Sequence, residues 1–201
     1  MKKPRILVFG ASGHGLVVAE AAAASGWEVI GFADDGVETG TRVGSWNVLD
    51  AASLGEHDLK CIVAIGVNGT RRKVAARFQD QLVNVIHPSA MMSPSATLQK
   101  GIFVGPRAVV HAEANLGEGA IINSGAIVEH HVEVGAYAHI APGAVLAGAV
   151  KVGEETLVGA NAVVIQGCEV GSRVNVGAGA AVIRSVADDL TVVGVPARAL
   201  S

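Results

Sequence analysis

Aromatic side chains make up only 3% of this 201-residue chain, although half of it is hydrophobic. A core so poor in rings has to be filled by Val, Ala and Gly, which suits thin stacked layers better than one thick interior. Basic runs are also missing. With a formal net charge of −3 and no Lys/Arg cluster, the composition speaks against a nucleic-acid partner. There are two cysteines, Cys61 and Cys168, far apart in sequence, which read as reduced core residues of a cytoplasmic protein. No window of eighteen apolar residues is free of charge or Gly, so no membrane span is expected. The basic start, Met1 to Arg5, is followed only by Ile6 to Phe9 before Gly10, too short a run for a signal peptide.

What the chain does have is a period. From Ile86 to Val182 every sixth residue is aliphatic or Met, which gives seventeen hexads in one register. Four residues after each comes a small or medium residue, most often Ala, as at Ala90, Ala108, Ala126, Ala144 and Ala162. A helix repeats at 3.6 and a strand at 2, so six fits neither. It fits a triangular coil of three short strands and three tight corners, that is, a β-solenoid stabilised by stacking. Three hexads make an eighteen-residue coil, so residues i and i+18 are neighbours, roughly 4.8 Å apart. His130 then lies beside Gly148, His111 beside Glu129, His139 beside Leu157 and Glu113 beside His131. Glycines that follow the aliphatic position, such as Gly117, Gly135 and Gly153, are expected at corners that want positive φ.

The first eighty-odd residues follow another pattern. A buried strand over 5–9 leads into Gly10-Ala11-Ser12-Gly13-His14-Gly15 and an Ala-rich amphipathic helix over about 13–25, closed by Gly26. Further strands over about 28–33 and 61–65 and a helix over about 70–80 complete a small parallel βαβ sheet. The boundary is placed so that residues 1–84 form this unit and 85–201 the solenoid with its tail. The loop spacing is G-x-x-G-x-G, not G-x-G-x-x-G, and the loop has no P-loop Lys. It reads equally as a phosphate cradle at a helix N-terminus and as a tight turn. Asp34 and Asp35, at the end of the second strand, read equally as acceptors for a ribose or base and as a solvated turn.

Together these residues resemble the bacterial nucleotide-sugar acetyltransferases of the PglD/NeuD group. The likeness is carried by Gly10 to Gly15, Phe32 to Asp35, Ala64 to Asn68 with Arg71, Ile86 to Ala90, Ile122-Asn123, Val128 to His130, His139 to Ala144 and Val193 to Ala197. It implies an α/β Rossmann-like N-terminal domain followed by an all-β left-handed parallel β-helix. It also implies a homotrimer with active sites between adjacent prisms, and acetyl-CoA as co-substrate with no metal. The resemblance places the nucleotide-linked amino sugar, such as a UDP-4-amino-4,6-dideoxyhexose, near Ser12, Gly13, His14, Asp34, Asp35, Gly66 and Asn123. It makes His130 the general base, puts His139 near the thioester or acceptor, and matches Gly148 and Ala160 to coenzyme-contacting positions.

The chemistry agrees with that assignment. Acyl transfer to an amine needs a base, an oxyanion donor and alignment. The period sets Gly148, with room for a thioester and an N–H for the oxyanion, next to His130. One departure stands out: the family usually carries Asp or Glu after the catalytic His, and here His131 follows. Either His131 orients His130 by a neutral hydrogen bond, or Glu129 or Glu113 takes that part. Without a carboxylate the expectation is a slower enzyme or a more alkaline requirement. His87 and His111 are expected to be structural or exposed, and His57 carries no signal. Competing readings are O-acetylation of sialic acid or another sugar hydroxyl, and a zinc site of the carbonic-anhydrase kind built from His111, His130, His131 and His139.

Overall fold

The computed structural model describes residues 3–50 and 59–200, so His57 lies outside the described residues. At the front, β1 (Arg5–Phe9), β2 (Glu28–Ala33) and, after the hairpin strands β3 (Arg42–Val43) and β4 (Trp46–Asn47), β5 (Lys60–Val63) are present. The order β2-β1-β5 is parallel, as the βαβ pattern requires. Helix α1 (Gly13–Ala24) ends before Gly26, whose φ is +92°. It buries Gly15, Val18, Ala19 and Ala22 on one side. The opposite side is mostly Ala and Val with Glu20, so the expected amphipathic contrast is weak: burial here is decided by packing more than by polarity.

Helix α2 (Asn68–Ala75) starts and stops earlier than the sequence suggests, and a 3₁₀ turn over Ala76–Phe78 carries the chain on. β5 likewise ends at Val63, because Gly66 and the helix start follow so closely. The hairpin of β3 and β4 is too short to give a periodic signal.

From Val85–Ile86 to Ala181–Val182 the chain runs through seventeen two-residue strands, each ending on the aliphatic residue of its hexad. They stack in three parallel sheets with eighteen-residue register. Face one carries Val85, Phe103, Ile121, His139, Leu157 and Asn175 as outward residues; face two carries Met91, Val109, Ile127, Val145, Val163 and Ala181; face three carries Thr97, Asn115, Glu133, Lys151 and Glu169. The interior is a column of Val, Ile, Leu and Ala, with Cys168 in a small-residue slot. Cys61 and Cys168 are both buried and free.

The corners correct one expectation. The left-handed residue is the third after the aliphatic position, not the first. Gly101, Gly119, Gly125, Gly143, Gly167 and Gly179 occupy it, as do Arg107, Glu113, His131, Tyr137, Ala149, Glu155, Asn161 and Arg173, all near φ +55 to +73°. The glycines directly after the aliphatic residue are there for space. A Cβ on Gly135 would lie 2.6 Å from the backbone N of Glu154, one coil on, and one on Gly117 would lie 2.6 Å from Ala136 N.

Face one anchors the front of the molecule. Val85, Phe103 and Ile121 pack with Ile6, Val8, Val18 and Phe32 in one buried cluster. Tyr137, at the next corner, joins Leu7, Phe9 and Phe78. Among the described residues no helix is long and apolar enough to cross a membrane.

Candidate active site

His130 follows the strand Ile127–Val128 and stands exposed at the corner between faces two and three. The period of eighteen sets Gly148 against it, and the contact is close: a Cβ on Gly148 would lie 2.6 Å from His130 Cε1 and 2.8 Å from Nε2. The Gly148 N–H donates to no protein acceptor. Next in the chain, His131 adopts φ +59°, and this left-handed turn brings its ring back onto His130. The two Nδ1 atoms are 3.0 Å apart and the rings meet edge to face, with centroids at 5.2 Å. One proton therefore lies between them.

Of the three partners expected for His130, the structure supplies His131. Glu129 turns instead to His111, with Oε1 3.6 Å from Nε2, and its other oxygen meets the His130 backbone N at 3.4 Å. Its carboxylate makes no hydrogen bond to the His130 ring. No hydrogen bond joins Glu113 to His131; the Glu113 N–H donates to Ser95 Oγ at 3.2 Å.

A second cluster forms where face one meets the front sheet. His139 opens the strand His139–Ile140 and lies one coil from Ile121. The Ser124 N–H donates to Asn123 Oδ1 at 2.8 Å, which fixes the amide. Asn123 Nδ2 then donates to His139 Nε2 at 3.0 Å. With Nε2 accepting from Asn123, the proton of the neutral His139 ring is on the other nitrogen, Nδ1. His14, on the first turn of α1, stacks on His139 with centroids at 6.2 Å and meets Phe103 edge-on at 5.7 Å. Among the described residues, His14 Nε2 is the buried side-chain polar atom left without a partner. Burial, reinforced by the Arg71 charge, pushes the pKa of both rings down to about 4; the His14 ring adds to the effect on His139, and the polar Gly66 backbone opposes it.

The glycine loop is held for tightness. Gly10 has φ +114°, and a Cβ there would lie 2.6 Å from the Ala64 carbonyl oxygen; a Cβ on Gly15 would run into the Gly10 carbonyl oxygen. Gly13 is open, and the Ser12 side chain makes no capping bond to α1. Asp34 ties the loop down: Oδ2 accepts from Ala11 N and Oδ1 from Gly36 N, both at 2.8 Å. Asp35 pairs with Arg77 at 2.6 Å on the surface.

Ser12, Gly13, His14, Gly66, Asn123 and His139 thus gather at one junction. His130, His131, Glu129 and Gly148 gather at another, half a coil away from His139 in sequence. Ala160 sits at the corner after face one, not with Gly148. Among the described residues no three His, Cys, Asp or Glu side chains are grouped to hold a metal. The sequence reading also gave Arg71 no role at the site. Its signal was present: Arg71, Val74, Ala75 and Phe78 fall at i, i+3, i+4 and i+7, so a guanidinium occupies the buried face of α2.

The PglD N-terminal domain family matches residues 5–78, and the bacterial transferase hexapeptide (six repeats) matches residues 113–148 and 149–184. The acetyltransferase domain of PglB from Neisseria gonorrhoeae FA1090 is 37% identical over 98% of this chain and 100% of that chain, with a TM-score of 0.92. That domain has also been solved with acetyl coenzyme A. PerB from Caulobacter crescentus, solved with CoA and GDP-perosamine, is 37% identical over 98% of this chain and 97% of that chain, with a TM-score of 0.91. WeeI from Acinetobacter baumannii AYE, 23% identical with a TM-score of 0.68, shares the fold. With the front domain, the hexapeptide coils and two relatives matched along 98% of the chain in agreement, the chain belongs to the PglD/NeuD-type family of bacterial hexapeptide-repeat sugar acetyltransferases.

Proposed function

We propose that this protein transfers the acetyl group of acetyl-CoA to the amine of a nucleotide-linked amino sugar, with His130 as general base. The observation that carries this reading is the His130 imidazole lying against Gly148, whose N–H is unengaged. A base and an oxyanion donor side by side are what amide formation from a thioester needs. For Nε2 to present a lone pair, His130 must keep its proton on Nδ1, so His131 accepts through its own Nδ1 and carries its proton on Nε2. The amine attacks the thioester carbonyl while Nε2 takes its proton. Gly148 N–H meets the oxyanion. Collapse forms the amide, and the imidazolium returns the proton to the departing thiolate. The general base is worth roughly 10²- to 10⁴-fold and one oxyanion donor roughly 10²- to 10³-fold.

The assembly we propose is a homotrimer that covers the apolar outward column of face two, Met91 to Ala181. It sets the His130 corner of one protomer against the His139 side of the next, so that the sugar bound at the front domain meets the base of a neighbour. Ser12, Gly13, His14, Asp34 and Asp35 hold the nucleotide part, with Gly66 and Asn123 nearer the sugar. Gly148 and Ala160 line the coenzyme path from different protomers. The acceptor we favour is a UDP-linked 4-amino-4,6-dideoxyhexose, with a GDP-linked one as second candidate because PerB was solved with GDP-perosamine. Free-thiol release from acetyl-CoA, followed with UDP-, GDP- and dTDP-linked amino sugars, tests this. Turnover is expected with one nucleotide above the others. Turnover with sugars bearing only hydroxyls, and none with amines, would move the reaction to O-acetylation.

A further inference from the structure

Among the described residues Arg71 is the charged side chain in the buried core, 1% exposed. No carboxylate there lies within ion-pair distance of it. Carbonyl and amide oxygens saturate it instead. Nε–H donates to the Gly119 carbonyl at 2.9 Å, and Nη1 donates to the carbonyls of Ile65 at 2.8 Å and Gly66 at 3.3 Å. Nη2 donates to Asn68 Oδ1 at 2.8 Å, to the Tyr137 carbonyl at 2.6 Å and to that of Ala138 at 3.4 Å. All five N–H groups of the fork are used. The acceptors come from three places: the loop after β5, the start of α2, and two stacked coils, since Gly119 and Tyr137 are eighteen residues apart. A buried charge held only by carbonyls is an expensive way to join two parts of a fold, and an apolar contact would do that alone.

We propose that Arg71 is a positioning residue for acetyl transfer: its fork locks the Ile65–Gly66 loop onto two coils of the β-helix, which fixes the junction where His14 stacks on His139. The groups that pack on these rings are each other, Phe103 and Asn123; the Arg71 charge adds to burial in holding both rings neutral, and Tyr137 and Glu155 act on Arg71. Burial pulls the Arg71 pKa down to about 10, so it stays cationic at neutral pH. The catalytic part of this inference rests on the acetyltransferase reading, whereas its electrostatic part is testable without any substrate.

The test is a histidine-resolved NMR titration of the intact protein, paired with kinetics. In the unsubstituted protein both rings stay neutral down to about pH 5, and His139 shows the Nδ1–H tautomer; titration of either ring near 6.5 overturns the proposal. Arg71→Met removes fork and charge together: it moves both midpoints upward, while burial still holds them below 6.5, and raises KM for the nucleotide sugar; midpoints and KM both equal to the parent's in the folded variant overturn it. Arg71→Lys keeps the charge and loses the fork. It leaves the midpoints low and raises KM for the nucleotide sugar by roughly tenfold, about 1.4 kcal/mol, with KM for acetyl-CoA unchanged. Kinetics indistinguishable from the parent in Arg71→Lys would remove the positioning role. Should Arg71→Met fail to fold, the parent titration and the Lys variant decide.

Discussion

At the residue scale, the His130 corner permits almost no substitution. Removing the imidazole in His130→Ala removes the proposed base, so turnover should fall by about 10²-fold or more, with circular dichroism and sedimentation unchanged. Unchanged turnover would end the catalytic assignment. Gly148→Ala is expected to be nearly as damaging, because its Cβ would lie 2.6 Å from His130 Cε1 and displace the ring. That contact was readable in advance, since 130 and 148 differ by one coil. The partner of the base was not. Whether Glu129, Glu113 or His131 turns to His130 depends on side-chain direction at a left-handed corner, which the period does not encode. Asp34 shows the same limit: its position after β2 was legible, but not that both its oxygens hold the Ala11 and Gly36 amides.

At the element scale, the coils depend on two kinds of glycine with different physics. Gly135→Ala puts a methyl 2.6 Å from the next coil's backbone, where neither strand can yield. It should cost about 3 kcal/mol, in the range of overpacking. Gly125→Ala meets nothing within 4 Å and carries only the strain of φ +66°. It should cost about 1 kcal/mol. Thermal melts of the two variants separate them; equal losses would mean that stacking space is not what fixes Gly135. Every strand of the solenoid was legible because a hexad admits one inward residue. The hairpin of β3 and β4 and the early start of α2 were not, because two-residue strands outside a repeat leave no pattern.

At the scale of the whole molecule, the front sheet and the prism are joined across neutral rings. His14 and His139 have folded pKa values near 4, against 6.5 in an unfolded chain. Between those values the unfolded chain binds more protons, so stability is complete above pH 6.5 and is lost as pH falls toward about 4. The loss is on the order of 2 kcal/mol per ring after allowing for partial exposure. Urea midpoints at pH 7.5, 6 and 5 should decline accordingly, with a shallower decline in His139→Gln; an equal decline in that variant would refute the linkage. The eighteen-residue coil also limits how such a molecule can change in length. Adding or losing six residues before His139 would turn everything beyond by a third of a revolution and carry that histidine off the face shared with Phe103 and Ile121. Only whole coils preserve the faces. The distance between the front sheet and the histidine corner can therefore be adjusted only in steps of roughly 4.8 Å, a ruler marked in single strand spacings.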